Sequence, residues 1–362
     1  MTETPRTMKA VVMHAPGDYR LEERPVPEPE ADELLLQVDA VGVCASDLKC
    51  YDGAAKFWGG DGRDRWVVPG VIPGHEFVGK VVSGSNEALA AHGAGVGDRI
   101  AGEQIVPCEE CMYCRRGWYW MCGPHDMFGF RGHDGAMAEY MIIPPKARVH
   151  RVSADLPGQH AAFAEPLSCS LHAVERARVS FDDVLVVSGC GPIGLGAIIG
   201  AHHKSPKTLI ALDLDDDKLA LARRCGADLT MNPRSTDVVS EIQNLTGGYG
   251  ADTYIECTGN PASVSQGLSV LRKLGTFVEY SVFKENVSVD WSIISDDKEL
   301  DVRGAHLGPH CWPAAIKMLE SGALPLDEIC THQYPLEDFQ TALEKVADSA
   351  GSSVKVSILP NG

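Results

Sequence analysis

Short apolar runs interrupted by glycine, proline and acidic residues fill the first 150 positions. Residues 9–13 and 34–41 are continuous, partly β-branched apolar stretches, and 78–82 repeats the pattern; each predicts a strand. A proline-rich connector over 25–29 separates the first two, and 66–150 continues as short strands among Gly, Pro and Asp turns. The pattern changes near residue 160. Helix-compatible stretches over 160–178 precede a short buried strand at 184–188, a helix over 192–203, a strand at 208–213 and a helix over 216–225. Strands at 251–257 and 276–280 flank a helical 261–273. Alternating strands and helices predict parallel βαβ units. The tail from about 305 ends in a helix over 336–346 and a strand over 354–359, which could return to the first region.

Size and composition narrow the class. A chain of 362 residues fits two domains, and 44% hydrophobic with 23% charged residues is a folded, soluble composition. No apolar run approaches the roughly 18 residues of a membrane span. The N-terminal MTETPRTMKA has no basic stretch followed by an apolar one, so a cytoplasmic protein is expected. A net charge of −18 argues against nucleic acid or an anionic membrane as partner, since both need basic patches.

Gly189-Cys-Gly-Pro-Ile-Gly194 is a GxGxxG sequence directly after a predicted strand and before a predicted helix, and Asp213 ends the next strand 24 residues after Gly189. Gly189 permits the tight turn, Gly191 lets backbone approach a pyrophosphate, and Gly194 lets helix and strand pack closely. The helix N-terminus, at Pro192 and Ile193, stabilises phosphate through free N–H groups and its dipole. The Asp213 carboxylate would accept hydrogen bonds from ribose hydroxyls and repel a 2′-phosphate, and no Arg follows within 214–217, so NAD is expected over NADP. Lys218 and Thr258 complete the candidate cofactor contacts.

Twelve cysteines in a long chain without a visible signal read as metal ligands more readily than as disulfides. Cys108, Cys111, Cys114 and Cys122 pack four thiols into fifteen residues with x2, x2 and x7 spacing. Four sulfurs suit tetrahedral zinc in a closed structural site. An iron–sulfur cluster is the alternative, but its common spacings differ and usually carry Pro after the last Cys.

A second, dispersed set comprises Cys44 in Gly42-Val-Cys-Ala-Ser-Asp47, then Gly74-His-Glu76, then Ala164-Glu-Pro166. Singly, Cys44 would read as core, His75 as a turn residue and Glu165 as a helix cap. Together with the four-cysteine segment and GxGxxG, in this order and over nearly the whole chain, they resemble the medium-chain zinc-dependent alcohol dehydrogenase family. The resemblance implies an α/β fold. A GroES-like, mostly β catalytic domain over 1–165 and 306–362 would carry both zincs, and a Rossmann doubly wound parallel sheet over 166–305 would bind NAD. It makes Cys44 and His75 ligands of a catalytic zinc. The third position falls on Glu165, as in sorbitol- and other polyol-type members, with Glu76 either a ligand or an exchanging partner, and Cys169 as the rival.

The same resemblance places Ser46 in the proton relay. Many members carry His three residues further on; this chain has Lys49, which titrates far higher, so cofactor contact is its expected use. The stretch 57–66, with Trp58, looks longer than in most relatives and reads equally as a substrate cover or a subunit contact. Phe128 and Phe130 resemble pocket-lining positions. The Glu-type shell favours a polyol substrate, erythritol or threitol oxidised to erythrulose being the leading choice, with sorbitol, xylitol, butanediol and threonine open. A non-catalytic zinc- and NAD-binding redox sensor is the reading from another class. The family likeness implies a homo-oligomer, a tetramer before a dimer.

Overall fold

The computed structural model describes residues 4–60, 62–284, 286–348 and 353–362. The chain divides into two compact units, Met1–Glu165 with Trp312–Gly362, and Pro166–Cys311. The second division falls after Cys311, not at 305/306 as the sequence suggested. Residues 305–311 stay with the second unit because Ala305 N–H bonds Glu279 O, and Gly308 packs on the backbone of Ser168 and Cys169, where no side chain would fit.

The first unit is built on a sheet ordered Val149–Arg151, Arg99–Gly102, Glu76–Gly84, Leu34–Val43, Val356–Leu359 and His332–Pro335, with Tyr140–Ile143 also pairing to the start of Leu34–Val43. The central strand Leu34–Val43 is buried along almost its entire length, as its apolar run requires. The C-terminal strand does return, pairing antiparallel with Leu34–Val43 through Val356↔Val43 and Ser357↔Gly42. It is shorter than the apolar 354–359 predicted, leaving Lys355 just ahead of it.

In the second unit six parallel strands run in the order Leu229–Met231, Thr208–Leu212, Val184–Ser188, Ala251–Glu256, Leu271–Glu279 and Asp301–Gly304. By chain order this is 3-2-1-4-5-6, the Rossmann arrangement. Every residue of Val184–Ser188 is buried, which is why its sequence is continuously apolar and not alternating. One helical expectation is corrected. The stretch 261–273 is a helix only over Pro261–Val270, and Leu271, in extended conformation, starts the next strand. The stretch 160–178 is two helices, Gly158–Ala162 and Ala164–Ala177. Among the described residues no helix is long and apolar enough to cross a membrane.

Candidate metal centres and cofactor site

The dispersed site is assembled where two neighbouring strands meet a helix. Cys44 follows Leu34–Val43 and is the N-cap of the helix Ala45–Tyr51; Asp47 in that helix's first turn accepts the Cys44 N–H at 2.9 Å. His75 precedes the strand Glu76–Gly84, and Gly74 makes the turn possible. Its φ is +100°, and a Cβ there would meet Val41 and Met137 at about 3 Å. Register then sets Glu76 opposite Gly42. The ligand atoms of Cys44, His75 and Glu76 all lie within 4.8 Å of one another.

His75, Glu76 and Asp47 are each less than 5% exposed. The second carboxylate oxygen of Asp47 lies 3.3 Å from His75 Nδ1, an ion-pair separation without hydrogen-bond alignment, so both atoms are buried and unsatisfied. Burial alone would pull His75 down, but Asp47 and then Cys44 hold it well above the usual histidine range. Buried polar groups left in this state cost free energy unless something compensates them. A thiol, an imidazole and a carboxylate converging there are the donor set of a zinc site, and a carboxylate against the far imidazole nitrogen is the usual support of a ligating histidine.

Lys355, 2% exposed, is the buried cation that the sequence reading missed. Its Nζ ion-pairs with Glu76 Oε2 and donates to Val43 O at 3.0 Å. Burial opposes its charge, but Glu76, Cys44 and Glu165 raise its pKa above the ordinary lysine value. Asp47 was also missed, although the GxCxSD segment contains it. Glu165, expected as the third ligand, stands outside the 4.8 Å set. Its carboxylate, in the first turn of Ala164–Ala177, accepts a hydrogen bond from the buried Gln104 Nε2, which holds it there. Ser46 and Lys49 lie one turn apart on Ala45–Tyr51, both half-buried.

An aromatic stack adjoins His75. The Phe130 ring lies 5.1 Å from His75, stacks on Phe57 at 5.4 Å and meets Trp66 at 5.5 Å. Trp66 in turn meets His125 at 5.9 Å. The ends of the 57–66 segment are tied by Trp66 N–H and Val67 N–H to Phe57 O. The sequence favoured Trp58 and Phe128 beside Phe130. Trp58 instead donates its indole N–H to Cys50 O at 2.7 Å, and Phe128 is fully buried, edge-on against Phe77. Trp58 is anchored to the helix Ala45–Tyr51 and Phe128 belongs to the core.

Cys108, Cys111, Cys114 and Cys122 bring their four sulfurs within 4.8 Å of one another. Backbone N–H groups point at the sulfurs: Cys108 N to Cys122 Sγ at 3.2 Å, Cys111 N to Cys108 Sγ at 3.3 Å and Gly123 N to Cys111 Sγ at 3.4 Å. Met112, Trp118 and Met121 in the same lobe are exposed, so apolar burial contributes little to holding it. The arrangement fits a closed structural zinc.

In the second unit the glycine turn takes the form its sequence predicts. Gly189 has φ +94°, Gly191 faces open space where a Cβ would meet nothing, and a Cβ on Gly194 would collide with the Gly189 carbonyl. Gly191 is the N-cap of the helix Pro192–His202 and gives no side-chain cap, leaving its first N–H groups to a ligand. Asp213 accepts the N–H of Cys190 at 2.6 Å and of Asp215 at 3.0 Å, so it braces the turn and keeps lone pairs for a ribose. Thr258 touches Gly189 from the next strand's end and is held by Glu256. Lys218 lies in the first turn of Asp216–Arg224, close enough to Cys190 to affect its thiol. This cradle fits a dinucleotide.

Comparison with known proteins identifies the family. Residues 30–154 match the alcohol dehydrogenase GroES-like domain family, and residues 192–321 match the zinc-binding dehydrogenase family. The chain is 64% identical to the erythritol/L-threitol dehydrogenase of Mycolicibacterium smegmatis over 99% of both chains. It is 32% identical to the sorbitol dehydrogenase of Bacillus subtilis over the full length of both. A solved structure of a putative zinc-binding dehydrogenase from Sinorhizobium meliloti, bound to NADP, superposes with a TM-score of 0.88 at 29% identity, covering 98% of this chain and 100% of that one. Two domain matches, a full-length relative and two cysteine-bearing clusters in the expected order make this chain a member of the medium-chain zinc-dependent alcohol dehydrogenases, in their polyol dehydrogenase branch.

Proposed function

We propose that this enzyme oxidises a short polyol, erythritol or threitol, to the corresponding ketose with NAD as hydride acceptor. The observation that carries the reading is the Cys44–His75–Glu76 cluster, a three-residue donor set in a chain 64% identical to an erythritol/L-threitol dehydrogenase. Cys44 and His75 would hold the catalytic zinc, with Glu76 as a partner that exchanges on and off it, and the four cysteines of the lobe the structural one. When bound, zinc acts as a Lewis acid toward an alcohol oxygen, and NAD takes up hydride.

The chain's own residues supply position and proton handling. Asp47 fixes the His75 ring and, through the Cys44 N–H, the start of the helix. Ser46 Oγ would accept a hydrogen bond from the alcohol and, as it takes that proton, release its own to solvent water; Lys49, a turn further on, is the proposed cofactor contact and does not take the histidine's place in the relay. Phe130, Phe57 and Trp66 form an apolar wall beside His75 that excludes water and limits substrate length. The Asp213 carboxylate supports NAD over NADP, since a 2′-phosphate would meet it as a like charge. Exposed Trp291 and Val302 on the second unit support self-association, and we take the enzyme to be a cytoplasmic homotetramer.

The test is NADH formation across a panel of three- to six-carbon polyols, butanediol and threonine, with NAD and NADP compared and a chelator control. Chelator-sensitive turnover of a four-carbon polyol with NAD is expected. Turnover of threonine alone would contradict the substrate assignment, and zinc and NAD binding without any turnover would favour a sensor. Trp66→Ala is expected to raise KM for the preferred polyol roughly tenfold with kcat changed less than about threefold, the scale of one lost apolar contact.

A further inference from the structure

Lys355 is the cation of the dispersed site. It sits among Cys44, Glu76 and Glu165, all groups that carry negative charge when ionised, and is itself buried. Its place is built by three strands. Gly42 on Leu34–Val43 lies between Glu76 on one side and Ser357 on the other. A Cβ at Gly42 would run into the Glu76 carboxylate and come within 2.8 Å of Lys355 Cε, so the pair passes over the one residue type that leaves room for it. The lysine has little freedom to leave. Its backbone N–H bonds Ile329 O at 2.9 Å, its carbonyl accepts from Thr331 Oγ1 at 3.2 Å, and its Nζ is anchored on Val43 O.

We propose that Lys355 is a positioning residue that holds the Glu76 carboxylate back from the catalytic metal and so keeps a coordination position open for substrate. The proposal rests on reading Cys44, His75 and Glu76 as the metal site. Glu76 is within ligand reach of Cys44 and His75 on one side and of Lys355 on the other. A carboxylate so placed has two competing partners, and a rigid buried ammonium decides between them. Remove the ammonium, and the carboxylate is left buried with the metal as its only strong counter-charge. It then closes the site. This arrangement is a device for a catalytic centre, since a structural site has no open position to protect.

The test uses full-length protein loaded with cobalt in both sites, read by visible absorption, which reports coordination number, and by the rate at which a chelator strips the metal. Wild type and K355R, which keeps the charge, are expected to share one spectrum and one release rate. In K355M and K355Q the bands of the dispersed site are expected to weaken as coordination number rises, with metal release about tenfold slower and kcat reduced more than KM. K355Q keeps hydrogen-bonding capacity and similar volume, so it reports even where K355M does not fold. Adding E76Q to K355Q is expected to restore the wild-type spectrum. An unchanged spectrum and release rate in K355Q, with only stability lowered, would overturn the proposal and leave Lys355 a structural ion pair. A wild-type protein that takes up one metal per chain, at the lobe alone, would overturn the metal reading on which it rests.

Discussion

Cys108, Cys111, Cys114 and Cys122 come from fifteen consecutive residues in a lobe with exposed apolar side chains, whereas Cys44, His75 and Glu76 are brought together by strand register, the last two fully buried. In the lobe, cysteine spacing and backbone N–H groups make the site, and beyond the buried Tyr119, bonded to Glu103, and the Lys146 contact to Cys108 O, little apolar burial holds the chain around it. In the buried site a sheet holds the ligands whether or not metal is present. Every neighbour there carries a charge that must be balanced: Asp47 against His75, Lys355 against Glu76. A locally written site is therefore a stability element. A register-built site has polar groups already held in place, which is what catalysis requires.

The largest effect that would break this comparison is on turnover. Cys44→Ser is expected to lower kcat/KM by about a thousandfold or more, the scale of losing metal charge stabilisation, with the thermal midpoint within a few degrees of wild type. Cys111→Ser should do the reverse. Loss of the lobe metal is expected to cost roughly 3 kcal/mol or more and about 6 °C or more in thermal midpoint. A C111S protein of wild-type stability would show that the lobe folds without its metal.

The cofactor turn sharpens the same distinction within one motif. Gly191 faces open space, so G191A should raise KM for NAD roughly tenfold and leave the thermal midpoint unchanged. Gly194 packs on the Gly189 carbonyl, so G194A should destabilise the fold by about 1–3 kcal/mol before any effect on NAD is read. Equal effects of the two substitutions on stability would contradict the division of roles.

The smallest expected effect lies in another register-built charge pair. Glu256 and Glu279 face each other on adjacent parallel strands. Burial, and then the Glu256 carboxylate, push Glu279 up to about 8 from 4.5. Because the folded-state pKa is raised, the unfolded chain ionises first, and this group's contribution to stability is lost as pH rises from about 4.5 through about 8. Glu279→Gln should therefore leave the thermal midpoint little changed near pH 5 and raise it relative to wild type near pH 8.5. A constant offset at both pH values would show that the shift is not there.

What the sequence disclosed follows the same line. The four cysteines and GxGxxG were legible because their chemistry lies in consecutive residues, and the apolar 184–188 run gave its buried strand for the same reason. Cys44, His75 and Glu76 were legible only through the resemblance to a family. Glu165 took the third ligand place only through the same resemblance, and nothing local says that Gln104, 61 positions away, donates to its carboxylate. Lys355 carries no local signal at all; 312 residues separate it from the carbonyl it bonds, and only the antiparallel return of Val356–Leu359 brings it to Glu76. Trp66 replaced Trp58 in the aromatic wall because the fold of the 57–66 segment, not its composition, decides which indole faces Phe130.

The most direct test of the account is the zinc content of purified wild type, His75→Ala and Cys111→Ser, measured beside their polyol turnover. Two zinc ions per chain in wild type and one in each variant are expected, with turnover lost in H75A and the thermal midpoint lowered in C111S. An H75A protein that keeps two zinc ions, or that turns over polyol at the wild-type rate, would contradict the assignment of the buried cluster as the catalytic metal centre.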